Sequence, residues 1–307
     1  MRKIYAIGET VLDIIFRNNQ PQAAKAGGSM LNSVVSLGRI GLPVSFISEY
    51  GKDHVGQIID SFLQENGVNT DLVHKFEDGS TVLALAFLNE KNDASYSFYK
   101  NYPKNRLDII FPEVTGDDIV LCGSFYSIWA EVRPRFLEFI NNARKNSALI
   151  IYDPNFRKSH LFELERLRPL IIENMRLASI VRGSNEDFEY IFGSKTMEET
   201  YNHVCSLCPN LIYTTNTEGV QVRTPSNQFE FPIKKIQPVS TIGAGDNFNA
   251  GTIAALYNEG FLSSQLRELN ESQWEKIIKN AVNFATDVCM SMENYISKDF
   301  AKEYLRH

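Results

Sequence analysis

The sequence predicts an α/β protein: a doubly wound, mostly parallel sheet with helices on both faces, plus a small β lid. Three observations carry this. Short, continuous apolar runs at 119–122, 148–152, 178–181 and 211–214 read as strands buried on both faces. Helical patterns at 135–143, 165–174 and 197–207 alternate with them, the order of a parallel sheet covered on both sides. One region breaks the rhythm. Residues 81–89 and 95–100 are consecutive strand patterns joined by Glu90-Lys91-Asn92-Asp93, and Tyr96-Ser97-Phe98-Tyr99 alternates as a one-sided strand does. That hairpin is expected to cover a site as a lid; the alternative is that it extends the sheet edge.

From the N-terminus, residues 3–9 predict a buried strand ending in Gly8-Glu9, with Asp13 soon after. Residues 10–26 are short, mixed and partly polar, an excursion from the main sheet. Gly27-Gly28 opens a helix over 29–40, with Leu31, Val34, Val35 and Leu37 on one side and Asn32 in its first turns; Gly41 stops it. A strand at 44–48 and an amphipathic helix at 58–65, closed by Asn66-Gly67, follow. No repeat and no Pro/Gly/Ser-rich linker divides the chain. The 307 residues are therefore expected to form one domain over 1–307, with lid segments near 10–27 and 81–104.

Composition excludes several classes. The chain is 43% hydrophobic and 22% charged, as a folded soluble domain is. Its net charge of -6 argues against nucleic acid or an anionic membrane as partner. No apolar run approaches the roughly 18 residues of a membrane span. Met1-Arg2-Lys3 leads straight into a strand without a signal-peptide pattern, so a cytoplasmic location is expected. Cysteine is sparse, as in a reducing compartment. Cys205-Ser-Leu-Cys208, with His203 nearby, lacks the second ligand pair of a structural zinc site, and both cysteines are expected in a helix.

The richest stretch is Ser240-Thr241-Ile242-Gly243-Ala244-Gly245-Asp246-Asn247-Phe248-Asn249-Ala250-Gly251. Gly243, Ala244 and Gly245 let backbone N–H groups approach a ligand, and a helix opening there makes an anion site. A carboxylate in its first turn is an odd choice for holding phosphate alone. Asp246 makes sense if it takes a proton from a nucleophile attacking that phosphate. The simpler alternative is a helix cap. A P-loop GxxxxGK[ST], a GxGxxG after the first strand, and the HRD and DFG elements are all missing.

Taken with Gly27-Gly28, Asn32, Leu37-Gly38-Arg39-Ile40-Gly41 and Gly51-Lys52-Asp53-His54-Val55-Gly56, this stretch resembles the second signature of the ribokinase-like (PfkB-type) carbohydrate kinases. Between them, Asp153-Pro154-Asn155-Phe156-Arg157 is similar to the DPNxR run of the fructokinase and ketodeoxygluconate kinase branch. The resemblance spans essentially the whole chain. It implies phosphoryl transfer from ATP, with Mg²⁺, to a sugar hydroxyl. Asp246 is then the general base, and the N–H groups of Gly243, Ala244 and Gly245 are the anion hole. Asp13, Gly27, Gly28 and Asn32 match sugar-binding positions, while Asn155 and Arg157 match positions near the sugar–phosphate junction. Ser184 and Asp187 stand at the ends of the NxxE run that organises nucleotide and metal, Asp187 reaching Mg²⁺ indirectly through water. Thr215, Asn216 and Gly219 belong to the nucleotide loop, where Asn216 replaces a glycine and is expected to tolerate positive φ.

Ser240 replaces an aspartate that helps hold a monovalent cation, which puts potassium dependence in doubt. Two other readings stay open: a nucleoside kinase of the same fold, with Phe98, Tyr99 and Tyr102 near a base, and a non-catalytic sugar-binding protein with a decayed nucleotide site. Exposed apolar residues on the lid, such as Phe87, Phe98 or Tyr99, would favour a homodimer through it.

Overall fold

The structure is a computed structural model that describes residues 1–89, 94–216 and 218–306. The chain opens with β1 (Ile4–Ile7) and leaves the main sheet for a hairpin of β2 (Val11–Arg17) and β3 (Gln20–Gly27). Its two-residue turn, Asn18-Asn19, has positive φ at both positions (51° and 59°), as a type I′ turn needs and as asparagine tolerates. Helix α1 (Ser29–Arg39) leads back to β4 (Val44–Gly51), α2 (His54–Glu65) and β5 (Val73–Phe76). A second hairpin, β6 (Ser80–Leu88) and β7 (Ala94–Asn101), precedes the return through β8 (Ile119–Gly123), α3 (Arg133–Lys145), β9 (Leu149–Asp153), α4 (Leu164–Leu177) and β10 (Ile180–Ser184). Then come α5 (Asn185–Phe192), α6 (Met197–Val204), β11 (Leu211–Thr215), β12 (Gly219–Arg223), β13 (Gln228–Phe231), α7 (Ala244–Asn258), α8 (Glu271–Cys289) and α9 (Lys298–Tyr304).

Nine strands form the main sheet in the order β13-β12-β11-β10-β9-β8-β1-β4-β5. From β11 through to β5 the neighbours are parallel; β12 and β13 are antiparallel additions at one edge. Alternate residues feed two cores. Ile4, Ala6, Ile119, Leu121, Leu149 and Ile151 pack under α1, α2, α7 and α8. Tyr5, Ile7, Val120, Cys122, Ile150 and Tyr152 pack under α3, α4, α5 and α6. A strand covered on both faces has no polar face to show, which is why these runs read as continuous apolar segments. Strand order reverses between β1 and β8, and a crevice at the carboxyl ends of strands beside such a switch point is where ligands bind in this architecture.

The lid segments predicted near 10–27 and 81–104 meet in a separate four-stranded sheet, β3-β2-β6-β7. Strands β2 and β6 are parallel, and each pairs antiparallel with its hairpin partner. The alternative that the hairpin extends the main sheet fails, because β5 and β13 are that sheet's edges. The Glu90–Asp93 turn lies outside the described residues. Helix α2 begins four residues before its apolar pattern, at His54, because Asp53 caps it by accepting from Gly56 N at 2.7 Å. Helix α6 ends at Val204, so Cys205 is its C-cap residue and Cys208 lies beyond it, neither in the helical body as expected; Pro209 follows and keeps the chain from continuing as a helix. Both cysteines are free.

Candidate active site

Helix α7 starts where the glycine stretch predicts. Gly243 is its N-cap residue in the left-handed region (φ 79°), and a Cβ there would lie 2.7 Å from Asn294 O. Ala244 N reaches Thr241 O at 3.3 Å, a long bond, and the amides of a helix's first turn have no intrahelical acceptor. Asp246 does not cap the helix, so the simpler reading of it fails. Asp246 is 7% exposed, and its carboxylate is held from α1: Ser29 Oγ donates to Oδ1 at 2.5 Å, and Asn32 Nδ2 donates to Oδ2 at 2.8 Å. Ser33 Oγ donates to the backbone carbonyl of Asp246 at 2.7 Å. Burial raises the carboxyl's pKa; the Ser29 and Asn32 bonds oppose this, Asp153 adds to it and Arg157 opposes it. A buried carboxyl with a raised pKa is the kind of perturbed group that clusters at functional sites.

Both glycines ahead of α1 make room for neighbours. A Cβ at Gly27 would lie 2.3 Å from Asp13 Oδ2, and one at Gly28 (φ 132°) would lie 2.3 Å from Glu9 O. Burial, with Glu9 nearby, lifts the Asp13 carboxyl to about 6. Strand β7 brings Tyr96 near this corner: its hydroxyl is pushed up by burial and by Asp13 and pulled down by Arg157. Asn32, expected to bind sugar, spends its amide N–H on Asp246, and its buried Oδ1 has no partner.

Asp153 ends β9, where a parallel sheet presents ligand-binding groups. Its Oδ1 accepts from Asn155 N at 3.0 Å, closing a turn in which Asn155 has positive φ (40°). Oδ2 accepts from Arg182 Nη1 at 2.8 Å and from Asn249 Nδ2 at 2.6 Å. The same Arg182 nitrogen is 2.9 Å from the place a Gly245 Cβ would occupy, so a buried guanidinium lies against the glycine turn. Arg182 and Asn249 were not singled out from sequence. Their signals were present: an arginine inside an otherwise apolar strand, and an asparagine one turn after Asp246. Glu9 was missed as a side chain too. Its Oε1 accepts from Tyr102 OH at 2.5 Å and pairs with Lys100 Nζ at 3.4 Å, and Lys100 lies 4.6 Å from the centre of the Trp129 ring.

Ser184 and Asp187 form a capping box at the start of α5. Asp187 Oδ2 accepts from Ser184 N (2.7 Å) and Oγ (2.6 Å), while Oδ1 accepts from Phe156 N at 2.6 Å, which ties this helix to the Asp153–Arg157 turn. Burial and Asp153 raise the Asp187 pKa. Thr215 ends β11, and its Oγ1 donates to Gly219 O at 3.0 Å. Among the described residues of that loop, positive φ falls on Gly219 (123°) rather than on Asn216, contrary to the expectation for Asn216; the close approach of Phe231 O, 2.5 Å from a Gly219 Cβ, demands glycine there. Thr217 lies outside the described residues. A cavity of about 120 Å³ lined by Thr215, Glu218, Gly219 and Phe231, among others, opens beside the loop. Ser240 Oγ accepts from Ile242 N at 3.2 Å, so the hydroxyl is used locally.

Among the described residues, no three His, Cys, Asp or Glu side chains gather as a metal cage. That donor set fits Mg²⁺ only in the way Mg²⁺ accompanies a nucleotide, held by phosphates and water with at most one carboxylate. No helix among the described residues is long and apolar enough to cross a membrane.

The profile of the pfkB family carbohydrate kinases matches residues 1–292. A fructokinase of Rhizobium leguminosarum bv. trifolii is 25% identical over 280 residues, covering 87% of this chain and 84% of that protein. The fold superposes on a double-mutant fructokinase of Vibrio cholerae O395 in its fructose-, ADP- and potassium-bound form, with a TM-score of 0.83 at 20% identity, over 99% of this chain and 98% of that one. An aminoimidazole riboside kinase of Salmonella enterica gives 0.82 at 20% identity, over 99% and 100%. With its two sheets, its glycine turn and the buried aspartate beside it, the chain belongs to the pfkB family of carbohydrate kinases and is an ATP-dependent enzyme of that class.

Proposed function

We propose that the protein phosphorylates a hydroxyl of fructose or a closely related sugar. The observation that carries this is Asp246, buried with a raised pKa, held by Ser29 and Asn32 at the first turn of α7. Relatives named fructokinase support the choice of sugar. Asp13 and the free Oδ1 of Asn32 take sugar hydroxyls, and Gly27 and Gly28 let the ring approach. Asp246 takes the proton from the attacking hydroxyl, which contributes about 10²–10⁴ in rate. The N–H groups of Gly243, Ala244 and Gly245 receive the charge that grows on the phosphoryl oxygens; one such donor is worth about 10²–10³. Arg157 offers a planar fork to the transferred group, and Asn155 shapes its turn.

Ser184, Thr215, Asn216 and Gly219 line the nucleotide side. Mg²⁺ arriving with ATP would supply charge neutralisation on the phosphates, and Asp187 would be the residue that holds it, indirectly through water. Ser240 offers no carboxylate to a monovalent cation, so the rate is expected to respond weakly to potassium. The enzyme works in the cytoplasm. The outward lid face carries a Phe16–Phe87 stack at 5.0 Å and the exposed Tyr99, and we propose it as a homodimer contact; a monomer in light scattering at micromolar concentration sinks that part.

The test is ADP release with ATP and Mg²⁺ across ketoses, aldoses, sugar acids and nucleosides, for wild type and Asp246→Asn side by side. A ketose-dependent rate that collapses at least about 10²-fold in the variant is expected. A preference for nucleosides would overturn the sugar assignment. No turnover, with no ATP binding by calorimetry, would overturn the enzyme assignment.

A further inference from the structure

The lid sheet reaches the catalytic turn along two routes. One is covalent: β3 passes through Gly27 and Gly28 into α1, whose Ser29 and Asn32 hold Asp246. The other is a side chain with no part in the chemistry above. Lys25 of β3 stands directly across from Asp13 in the β2–β3 register, so both project from one face of the lid. Its ammonium leaves the lid. Nζ donates to the carbonyl of Met292 and to Oε1 of Glu293, each at 2.9 Å, with the lysine side chain only 18% exposed.

Those two residues belong to the loop behind the anion turn. One residue on, Asn294 O accepts from Asn247 Nδ2 at 2.8 Å and lies against the Gly243 backbone. Asn247 Nδ2 also donates to Gly243 O at 2.8 Å. A continuous path therefore runs from the strand facing Asp13, through Lys25, Met292, Glu293 and Asn294, to the backbone of Gly243.

We infer that Lys25 is a positioning residue that couples lid placement over the acceptor sugar to the geometry of the phosphate-binding turn. The inference rests on the kinase reading above. Lifting the lid would break two charge-assisted bonds to the 292–293 segment and free the loop that braces Gly243. Amides that receive a phosphoryl group need their geometry set before the reaction, so a turn braced only when the lid is down links the two substrates. Sugar bound under the lid then tightens ATP binding, and ATP tightens sugar binding by the same factor.

Calorimetry with Mg²⁺ and β,γ-imido-ATP, with and without saturating D-fructose, tests this. For wild type the sugar is expected to tighten nucleotide binding roughly 5–150-fold, the range of coupled sites. Lys25→Met brings that ratio to about 1, Lys25→Arg keeps most of it, and Glu293→Gln lowers it part of the way. A purely structural lysine would lower Tm in Lys25→Met and leave the ratio alone. A wild-type ratio of about 1, or a Lys25→Met ratio equal to that of wild type, overturns the inference. If Lys25→Met does not fold, Glu293→Gln decides: it keeps the Met292 contact, and an unchanged ratio there overturns the inference as well. Turnover of D-fructose by wild type is measured on the same preparation. Its absence removes the kinase reading, whereas turnover with an unchanged ratio removes only the role of Lys25.

Discussion

Asn32 Nδ2 donates to Asp246 Oδ2 at 2.8 Å, joining two helices whose bonded residues are 214 positions apart. This bond and its partner from Ser29 keep a buried carboxylate oriented. Asn32→Leu removes a donor to a charged acceptor, worth about 1.5–3 kcal/mol. A loss of roughly tenfold or more in kcat is expected, smaller than that of Asp246→Asn, with ATP affinity little changed. Equal ATP affinity and an unchanged kcat in Asn32→Leu would show that orientation of the base is not set by this bond.

Asp13 makes the acid side of the pH profile informative. Its carboxyl titrates at about 6, raised by burial and by Glu9. The native state therefore binds more protons than the unfolded chain between pH 4 and 6, so its contribution to stability falls across that window as pH rises. Above it, the penalty levels off at up to about 3 kcal/mol. Asp13→Asn should raise Tm relative to wild type at pH 8 and lose that gain near pH 4. Activity should run the other way. With carboxylates needed ionised, kcat/KM in wild type falls below about pH 6, and Asp246, also raised, contributes to the same limb.

Two glycines with positive φ separate conformation from contact. At Gly41 (φ 73°) nothing lies within 4 Å of an added Cβ. Gly41→Ala should cost about 1–2 kcal/mol, the left-handed penalty alone. At Gly28 (φ 132°) the methyl would meet Glu9 O at 2.3 Å. Gly28→Ala should cost clearly more than Gly41→Ala in urea denaturation and displace Ser29 and Asn32 from Asp246, with a loss of activity that Gly41→Ala does not show.

Arg182 and Asp153 are a buried pair at 2.8 Å, side chains 9% and 2% exposed. Arg182→Met leaves Asp153 buried and charged without its cationic partner, with Asn249 and Asn155 still donating to it, at an expected cost of about 3–5 kcal/mol. The double variant Arg182→Met/Asp153→Asn should recover much of it. The uncompensated Asp153 should also push the Asp246 carboxyl higher, shifting the acid limb of kcat/KM towards alkaline pH in the single variant only. Additive losses in the double variant would mean that the pair does not act as a unit.

The layered architecture was legible because each strand of the main sheet is covered on both faces. Burial on two sides writes a continuous apolar run, and 119–122 and 148–152 could hardly be anything else. The lid's second hairpin was legible from alternation, its first only as a departure from the pattern, although Asn18-Asn19 carried the turn. Strand β5 and the β12–β13 edge were not anticipated; short strands of mixed burial write no clear period.

At the site, Asp246 and Gly243 drew notice from residue type, because small residues and a carboxylate in a helix's first turn are unusual enough to need a reason, whereas Gly28 and Asp13 were singled out only through the resemblance. Residue type could not say that Asn32 spends its N–H on Asp246, that Arg182 lies against Gly245, or that Lys25 crosses from lid to loop. Those contacts join positions separated by 63 to 268 residues. By itself the sequence determined the periodicities, the turn-forming residues and the chemical groups available. The tertiary structure alone decided which groups meet, because hydrogen-bond partners and burial belong to the packed chain, and burial is what raises the pKa of Asp246 above that of an ordinary aspartate.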